Sequence, residues 1–436
     1  MNIVITRPII LLLLAFVLAL GARAEDPVLI PDENLAAVIR EAAGLKPDSP
    51  IMDSDLEKLT ALNAVNRGIV RLDGLEHCRN LEDLNLDMNP IEDIRALAGL
   101  SKLRRACLYG TSLSDVSALS SLTELRTIWV SGSKLVDITP LAGLTHLTNL
   151  NLNGTSVADI SVVAKFTELE TLMLLGGPVE DLTPIAGLTH LKLLSVMSTK
   201  VRDLSVLSKV ASLQTLILGN NPIDSLGPLP ALTHLKSLIL QGIAIQDLSV
   251  LSGLTRLERL DLGGTGLTEL NGLLLFPGLK KLGLSDDAIS DIRVVSQLPH
   301  LEELWLRSMP VTDLSPLSGM IRLSNLSLIS MPVTDLSPLS GMTGLSRLTL
   351  NETEVTDLRP LSSLTQLKQL WLRGSKATDY TCLSSLAKLD SLLLDKSVTG
   401  DIQAITGLTH LQEVAPSQYR IGPNRCFRPI PERKQP

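Results

Sequence analysis

The chain has 436 residues, of which 44% are hydrophobic and 2% aromatic, and its four cysteines are too few for a disulfide framework. Residues 1–24 contain two basic side chains and no acidic one, so the rest of the chain carries 37 basic against 46 acidic side chains. The resulting net charge of −9 argues against nucleic acid as a partner, because phosphate neutralisation needs a basic surface.

The first predicted element is a secretory signal peptide over residues 1–24. Arg7 precedes an apolar run from Ile9 to Leu20, and small residues at Ala22 and Ala24 suit a signal peptidase. The run is short for a membrane span and no stop-transfer segment follows it. We therefore expect cleavage near Ala24, no membrane span, and a secreted or periplasmic protein.

Residues 25–58 are predicted to form a helical N-terminal cap. An acidic start after Asp32 and a glycine stop at Gly44 favour a helix over residues 33–43, and Asp53 is predicted to cap a second short helix. A repeat array exposes apolar core at its ends, so a cap is physically required here.

A 22-residue motif then repeats sixteen times without insertion over residues 59–410, and Leu411 opens a seventeenth unit. Each unit begins with Leu and is apolar at positions 1, 4, 6, 11, 14, 17 and 20. Positions 3–7 are predicted to form a strand, with positions 4 and 6 inward and positions 3, 5 and 7 outward. The pattern predicts an α/β solenoid, with stacked strands forming one parallel sheet.

The return path of many units carries Ser-Pro or Thr-Pro at positions 15 and 16, as at Thr139-Pro140 and Ser315-Pro316. A hydroxyl cap followed by proline favours a single helical turn. Because 22 residues leave little room for an α-helix, we expect short 3₁₀ turns on this side.

Motifs such as LTNLNLNGTSVADISVVAKF and LSNLSLISMPVTDLSPLSGM resemble the 22-residue leucine-rich repeats of bacterial internalins, and IPDENLAAVIREAAGL resembles the internalin cap. The resemblance covers residues 29 to about 411. It implies a curved right-handed leucine-rich repeat solenoid with a concave parallel β-sheet that binds proteins and short 3₁₀ turns on the convex side. Asn, usual at position 9, is kept at Asn89 and Asn221; elsewhere Thr or Ser often stands in its place, and we expect its hydroxyl to bond to the turn backbone.

Residues 411–436 are predicted to be the C-terminal end and a flexible tail, with five prolines from Pro416 onward. Cys426 is a candidate disulfide partner of Cys382. Cys78 occupies an inward position and Cys107 an outward one, so a bond between those two is not expected.

All three tryptophans fall at position 5, the centre of the outward face. Either large aromatics simply suit strands, or exposed Trp marks a contact surface. The units at 301–322 and 323–344 share SMPVTDLSPLSGM and differ only at positions 2, 3, 5, 7, 21 and 22. Change concentrated on the strand favours a binding face.

The outward positions also divide by charge. Positions 3, 5 and 7 of the units over 125–256 hold no ionisable residue, whereas later units are rich in charge and carry Trp-Leu-Arg twice, at 305–307 and 371–373. Trp and Arg are frequent anchors of protein interfaces. The candidate ligand-binding residues are Tyr109, Trp129, Met173, Met197, Ile239, Trp305, Arg307, Arg347, Trp371 and Arg373.

Two regularities have both a chemical and a structural interpretation. Asp at position 13 of thirteen units could form a calcium ladder, but Asp before a turn more often accepts local backbone hydrogen bonds. Five His share position 22, but the closest lie two units, about 10 Å, apart and are too distant for a common metal. We therefore expect no metal and no cofactor, and the uninterrupted repeats without a catalytic motif predict a protein that is not an enzyme.

The partner predicted by these patterns is a protein, bound on the concave face by an exported monomer. The alternatives are a carbohydrate or cell-envelope glycan that stacks on the Trp residues, and a structural spacer without a ligand.

Overall fold

The computed structural model describes residues 26–286, 288–394, 408, 411 and 413–416. They form two compact units: the first extends to Ile217 and includes Asn221–Pro228, and the second comprises Leu218–Asn220 and the chain from Leu229 onward. The predicted signal peptide and most of the predicted C-terminal tail lie outside the described residues. No helix within the described ranges is long and apolar enough to cross a membrane.

The N-terminal cap consists of helix α1, Glu33–Ala43, and helix α2, Asp53–Leu56. Asp32 caps α1 by accepting a hydrogen bond from the Leu35 N–H at 3.0 Å, and Gly44 ends it in the left-handed conformation at φ 68°. Both features confirm the sequence prediction for α1. Asp53 is the first residue of α2 rather than its cap, and its carboxylate lies 2.6 Å from His77 Nδ1.

The strands of the first unit follow the repeat without exception. Each is parallel to the next and paired with residues exactly one repeat later, as in Ala61↔Asp83. These strands are β1 Ala61–Asn63, β2 Asp83–Asn85, β3 Arg105–Cys107, β4 Thr127–Trp129, β5 Asn149–Asn151, β6 Thr171–Met173, β7 Leu193–Ser195 and β8 Thr215–Ile217.

The strands of the second unit are also parallel and in the same register. They are β9 Ser237–Ile239, β10 Arg259–Asp261, β11 Lys281–Ser285, β12 Glu303–Arg307, β13 Asn325–Ile329, β14 Arg347–Thr349, β15 Gln369–Trp371, β16 Ser391–Leu394 and β17 Glu413–Pro416. The strand β17 lies within residues 411–436, predicted as the C-terminal end and a flexible tail, and it extends the sheet by one further rung.

The return paths contain short 3₁₀ helices, as the repeat length predicts. In the first unit they are Leu75–His77, Arg95–Leu97, Ser117–Leu119, Thr139–Gly143, Ser161–Lys165, Thr183–Gly187 and Ser205–Lys209. In the second unit they are Leu229–Ala231, Leu248–Leu251, Asn271–Leu275, Arg293–Gln297, Ser315–Leu317, Ser337–Leu339, Arg359–Ser363 and Thr381–Ser385.

The aspartates at position 13 fasten the start of these turns. Asp335 Oδ1 accepts the Ser337 N–H at 2.8 Å and its Oδ2 accepts the Ser337 hydroxyl at 2.7 Å. This confirms the structural interpretation of the Asp pattern. It also corrects the prediction of a hydroxyl cap: Thr139 and its equivalents donate their hydroxyl to the aspartate and do not cap the turn with it.

The core confirms the apolar pattern of the repeat. Leu at positions 1, 4 and 6 is almost completely buried, as in Leu147, Leu150 and Leu152, and Phe166 and Phe276 fill position 20 with no exposed surface. Each unit buries these side chains against the units before and after it, so the core is continuous along each sheet.

Position 9 meets the expectation in part. The buried Asn89 amide accepts the Arg67 and Ile69 N–H groups, each at 3.0 Å, and donates to the Ala64 carbonyl at 2.7 Å. In several units where Thr replaces Asn, its hydroxyl donates to the turn backbone, as Thr111 does to Leu108 at 2.8 Å. The buried hydroxyls of Ser133 and Thr265, at the same position, have no hydrogen-bond partner among the described residues, so the expectation is wrong for these two.

Candidate ligand-binding site

The outward residues of strands β12 to β15 form three rows across the second unit. Position 3 contributes Glu303, Asn325, Arg347 and Gln369; position 5 contributes Trp305, Ser327, Thr349 and Trp371; position 7 contributes Arg307, Ile329, Asn351 and Arg373. Because the strands are parallel and in register, residues of one row lie on adjacent rungs about 4.8 Å apart.

The middle row contains two tryptophans with two small residues between them. Trp305 pairs with Ser327, Ser327 with Thr349, and Thr349 with Trp371. The Trp backbones are thus three rungs, roughly 15 Å, apart. Between the two Trp side chains, the middle row contains only the smaller side chains of Ser327 and Thr349, which leaves a depression in the surface.

This depression is part of an open pocket of about 310 Å³ that also extends past Trp305 to strands β10 and β11. We call it the Trp pocket. Its lining residues come from strands β10 to β15 and from the second residue after β9: Gln241, Asp261, Gly283, Leu284, Ser285, Trp305, Leu306, Arg307, Asn325, Ser327, Ile329, Arg347, Leu348, Thr349, Gln369 and Trp371.

Two hydroxyl groups form the floor of the Trp pocket. Ser327 is 6% exposed and Thr349 is 8% exposed, because the larger neighbours cover them. Both residues belong to the lining of the pocket. The floor therefore offers polar groups between two aromatic walls, an arrangement typical of binding sites for which apolar contact and orientation both matter.

Some charged side chains around the Trp pocket form ion pairs with each other, and others do not. Lys281 and Glu303 form an ion pair at 2.7 Å on strands β11 and β12. Arg307 and Arg347 are exposed, lie on opposite sides of the middle row, and form no ion pair with any described residue. Asp261 is the acidic residue of the pocket lining, so Arg307 and Arg347 leave an excess of one positive charge there.

The wall formed by Trp305 is held from the side facing β10. The Arg259 guanidinium lies over the indole ring at 5.9 Å from its centroid, within the range of a cation–π contact. Between these two strands, Gly283 leaves room for the Asp261 carboxyl group, whose carbon would lie 3.0 Å from a Cβ at that position. One face of Trp305 is thus occupied by the protein itself, and the other side of the side chain borders the Trp pocket.

The first unit presents the other aromatic candidates. Trp129 lies on β4 and is 40% exposed, and Tyr109 lies at the outward position just after β3. Cys107, on the rung between Asn85 and Trp129, is predicted to point outward but is 1% exposed. An outward position is therefore not always an accessible one, since large neighbours can cover a small side chain.

Burial raises the pKa of the Cys107 thiol to about 11 and that of Cys78 to about 12, so neither is a ready nucleophile.

The predicted candidate residues fall into separate groups. Trp305, Arg307, Arg347 and Trp371 come together around the Trp pocket. Ile239 and Arg373 belong to the same unit but do not line the pocket. The remaining candidates lie in the first unit: Tyr109, Trp129, Met173 and Met197.

The sequence analysis did not identify the small and polar residues that line the Trp pocket between the two Trp side chains. Ser327, Thr349, Asn325 and Gln369 are small or polar and carry no individual signal. The signal that could have revealed them is the register: two Trp at the same repeat position, three units apart, must enclose the position-5 residues of the two units between them.

Cys426, the predicted partner of half-buried Cys382, lies outside the described residues.

Three histidines at position 22, His146, His190 and His300, contact nearby groups at the surface. His146 Nδ1 lies 2.8 Å from Glu168, and His300 Nδ1 lies 3.0 Å from the Arg322 guanidinium. Among the residues that the structure describes, no three His, Cys, Asp or Glu side chains are grouped so that they could hold a metal ion.

Solved structures with the same fold come from bacteria and from receptors. A leucine-rich repeat protein of Leptospira interrogans matches with a TM-score of 0.64 and 21% identity over 83% of this chain and 97% of that one. The functional domain of InlJ from Listeria monocytogenes matches with 0.59 and 22% identity over 85% and 83%. TLR13 in a complex with ssRNA13 matches with 0.56 and 20% identity over 81% and 68%. No protein-family model matches the sequence, and no curated protein is significantly similar to it. The chain has an internalin-like leucine-rich repeat fold.

Proposed function

We propose that the chain is an exported, non-enzymatic binding protein that holds a protein ligand on the outward sheet face of its second unit, with the Trp pocket at the centre. The observation that carries this proposal is the pair Trp305 and Trp371 on either side of a recessed floor, with Arg307 and Arg347 beside it. Trp and Arg dominate the binding energy of protein interfaces, and a pocket lets a partner side chain be fully desolvated.

The fold alone does not decide the class of ligand, since leucine-rich repeats are a scaffold. TLR13, for example, has been captured with ssRNA13. For this chain the charge of −9 outside residues 1–24 favours a protein over nucleic acid. A glycan that stacks on the Trp rings is the second candidate, supported by the hydroxyl floor between them.

The test is alanine substitution of each pocket tryptophan. Trp305→Ala and Trp371→Ala should each weaken capture of the protein ligand by about 2 kcal/mol or more. Both side chains lie on the surface between inward-facing leucines, so the free energy of unfolding should change by no more than about 1 kcal/mol. Ligands captured from envelope and culture-medium fractions by the wild-type protein are measured by calorimetry against each variant.

Two further variants serve as controls. Trp129→Ala removes the same side chain from the first unit and should affect binding much less. Ser327→Trp places in β13 the residue that its sister repeat carries at 305, which this strand geometry accommodates, and should fill the pocket and abolish binding. Normal binding by the Trp305, Trp371 and Ser327 variants would refute the proposed site, and capture of a glycan in place of a protein would favour the second candidate.

A further inference from the structure

The strongest unexplained feature of the second unit is the pair of guanidinium groups beside the Trp pocket. Elsewhere in this unit, arginines on the turn side are paired with the preceding aspartate: Arg293 with Asp291 at 2.6 Å, and Arg359 with Asp357 at 2.7 Å. Arg307 and Arg347 have no such partner among the described residues, although acidic side chains outnumber basic ones in this protein.

The positions of the two arginines place the Trp pocket between them. Arg307 is at position 7 of β12, and Arg347 is at position 3 of β14, between Asn325 and Gln369 on the neighbouring rungs. They thus approach Ser327 and Thr349 from opposite ends of the strands, while Trp305 and Trp371 flank these two residues across the strands. Both arginines line the pocket itself, so a group bound there is within reach of both.

The acidic groups near the pocket neutralise this charge only in part. Glu303 is already paired with Lys281 at 2.7 Å. Asp261 lines the pocket beside Gly283 and accepts the Gly263 N–H at 3.2 Å, and its single negative charge is outnumbered by the two guanidinium groups of Arg307 and Arg347. The floor contributes only the hydroxyls of Ser327 and Thr349, which can donate hydrogen bonds to an anion.

We propose that the Trp pocket recognises carboxylate side chains of an acidic segment of the protein partner. This inference rests on the proposed function and names the chemistry of its ligand. A guanidinium binds a carboxylate through two parallel hydrogen bonds, and the aromatic walls exclude water and strengthen that pairing. The apolar stem of an Asp or Glu and its neighbouring residues then pack between the indole rings.

The chain's own C-terminal segment does not fit this site. Residues 417–436 contain five basic side chains and one acidic side chain, so the pocket would repel them. Nucleic acid would require a continuous basic surface, whereas this chain is acidic overall and its pocket also contains the Asp261 carboxylate. A uronic acid polymer carries carboxylates as well, but the Arg259 guanidinium already covers one face of Trp305 and limits stacking by sugar rings.

The experiment uses the full chain without its signal peptide and poly-L-glutamate as the probe. We expect binding in calorimetry that weakens as salt concentration rises, because salt screens exposed charges. The double variant Arg307→Gln/Arg347→Gln should bind roughly tenfold more weakly or worse. The matched control Arg293→Gln/Arg359→Gln has the same net charge and the same unit but alters only the turn side, and it should bind as the wild type does.

Four results would overturn the inference: no binding of poly-L-glutamate, equal loss in the pocket and control variants, tighter binding of polygalacturonate, or tighter binding of a uridine homopolymer. The proposed function is tested independently by the Trp variants and the captured ligand. If that ligand requires Trp305 but binds the double Arg variant normally, the proposed function holds and the carboxylate inference is wrong.

Discussion

In most units a single aspartate at position 13 holds the beginning of the return path. Asp335 accepts both the N–H and the hydroxyl of Ser337, and these hydrogen bonds hold the pKa of its carboxyl below the ordinary value of 3.8. At Asp357 the hydrogen bonds from the Arg359 side chain and backbone lower the pKa to about 2. The same direction of shift recurs along the array, at Asp93, Asp115, Asp159, Asp203, Asp247, Asp291, Asp313 and Asp379.

This repetition predicts sensitivity to acid. A carboxyl whose pKa is lowered by folding stabilises the native state fully above its unfolded pKa, and loses that contribution as the pH falls through its folded pKa. Stability should therefore decline from about pH 4 downward and continue to decline to about pH 2, the value for Asp357. Thermal unfolding followed by circular dichroism over this pH range measures the effect.

The matched variants are Asp335→Ala and Asp335→Asn. The alanine variant should melt slightly lower at neutral pH without any change in ligand affinity, since Asp335 lies at the start of a turn and outside the Trp pocket. Asparagine keeps an acceptor for the Ser337 N–H, so it should melt closer to the wild type and depend less on pH. An unchanged acid profile in a variant with several such aspartates replaced would contradict this account of the turns.

At the scale of elements, the N-terminal cap covers the edge of the first sheet. Leu35, Ala36, Val38 and Ile39 are the buried residues of α1. Asp32 accepts the Val70 and Arg71 N–H groups at 2.8 and 3.0 Å in addition to capping the helix, and so ties the cap to the first repeat. Burial alone would raise the pKa of Asp32, but the hydrogen bonds from Arg71, Val70 and Leu35 lower it overall.

Deleting residues 25–58 should uncover the apolar edge of the first repeat, because a repeat array buries each face only against a neighbour. We expect aggregation or loss of cooperative unfolding, measured by light scattering and circular dichroism. Removing residues 423–436 is the comparison and should matter much less unless Cys426 is bonded. A soluble N-terminal truncation with unchanged melting would show that the helices are dispensable.

The elements were largely predictable because the 22-residue period determines both strand register and the position of each turn. Leu at positions 4 and 6 must be inward when residues 3–7 form a strand, and the structure follows this in every unit that it describes. The hydrogen-bond partner and the exposure of individual side chains were not predictable, because they depend on which residues lie next to them in space. Asp137 takes the role predicted for the Thr139 hydroxyl, because its carboxylate accepts both the N–H and the hydroxyl of Thr139. Cys107 is buried because Trp129 stands on the next rung.

The candidate site was only half predictable for the same reason. Trp305 and Trp371 were visible as aromatic residues at one repeat position, and Arg307 and Arg347 as charges on the outward face. The pocket itself results from what lies between them, and Ser327 and Thr349 acquire a role only through their larger neighbours. A site on a repeat array is thus a property of several adjacent units and of differences between them.

At the scale of the whole molecule, the proposed function requires export, because the proposed ligand lies outside the cytosol. Residues 1–24 have the composition of a signal peptide, which supports this proposal. Cleavage after Ala24 should give a mature protein that begins at Glu25, because small residues occupy positions 22 and 24 before the cut. Mass spectrometry of the periplasmic and culture-medium fractions measures the N-terminus directly. An Ala24→Lys variant, which removes the small residue before the cut, should accumulate uncleaved. A full-length wild-type chain retained in the cytosol would exclude an extracytoplasmic ligand, and the partner of the Trp pocket would then have to be sought inside the cell.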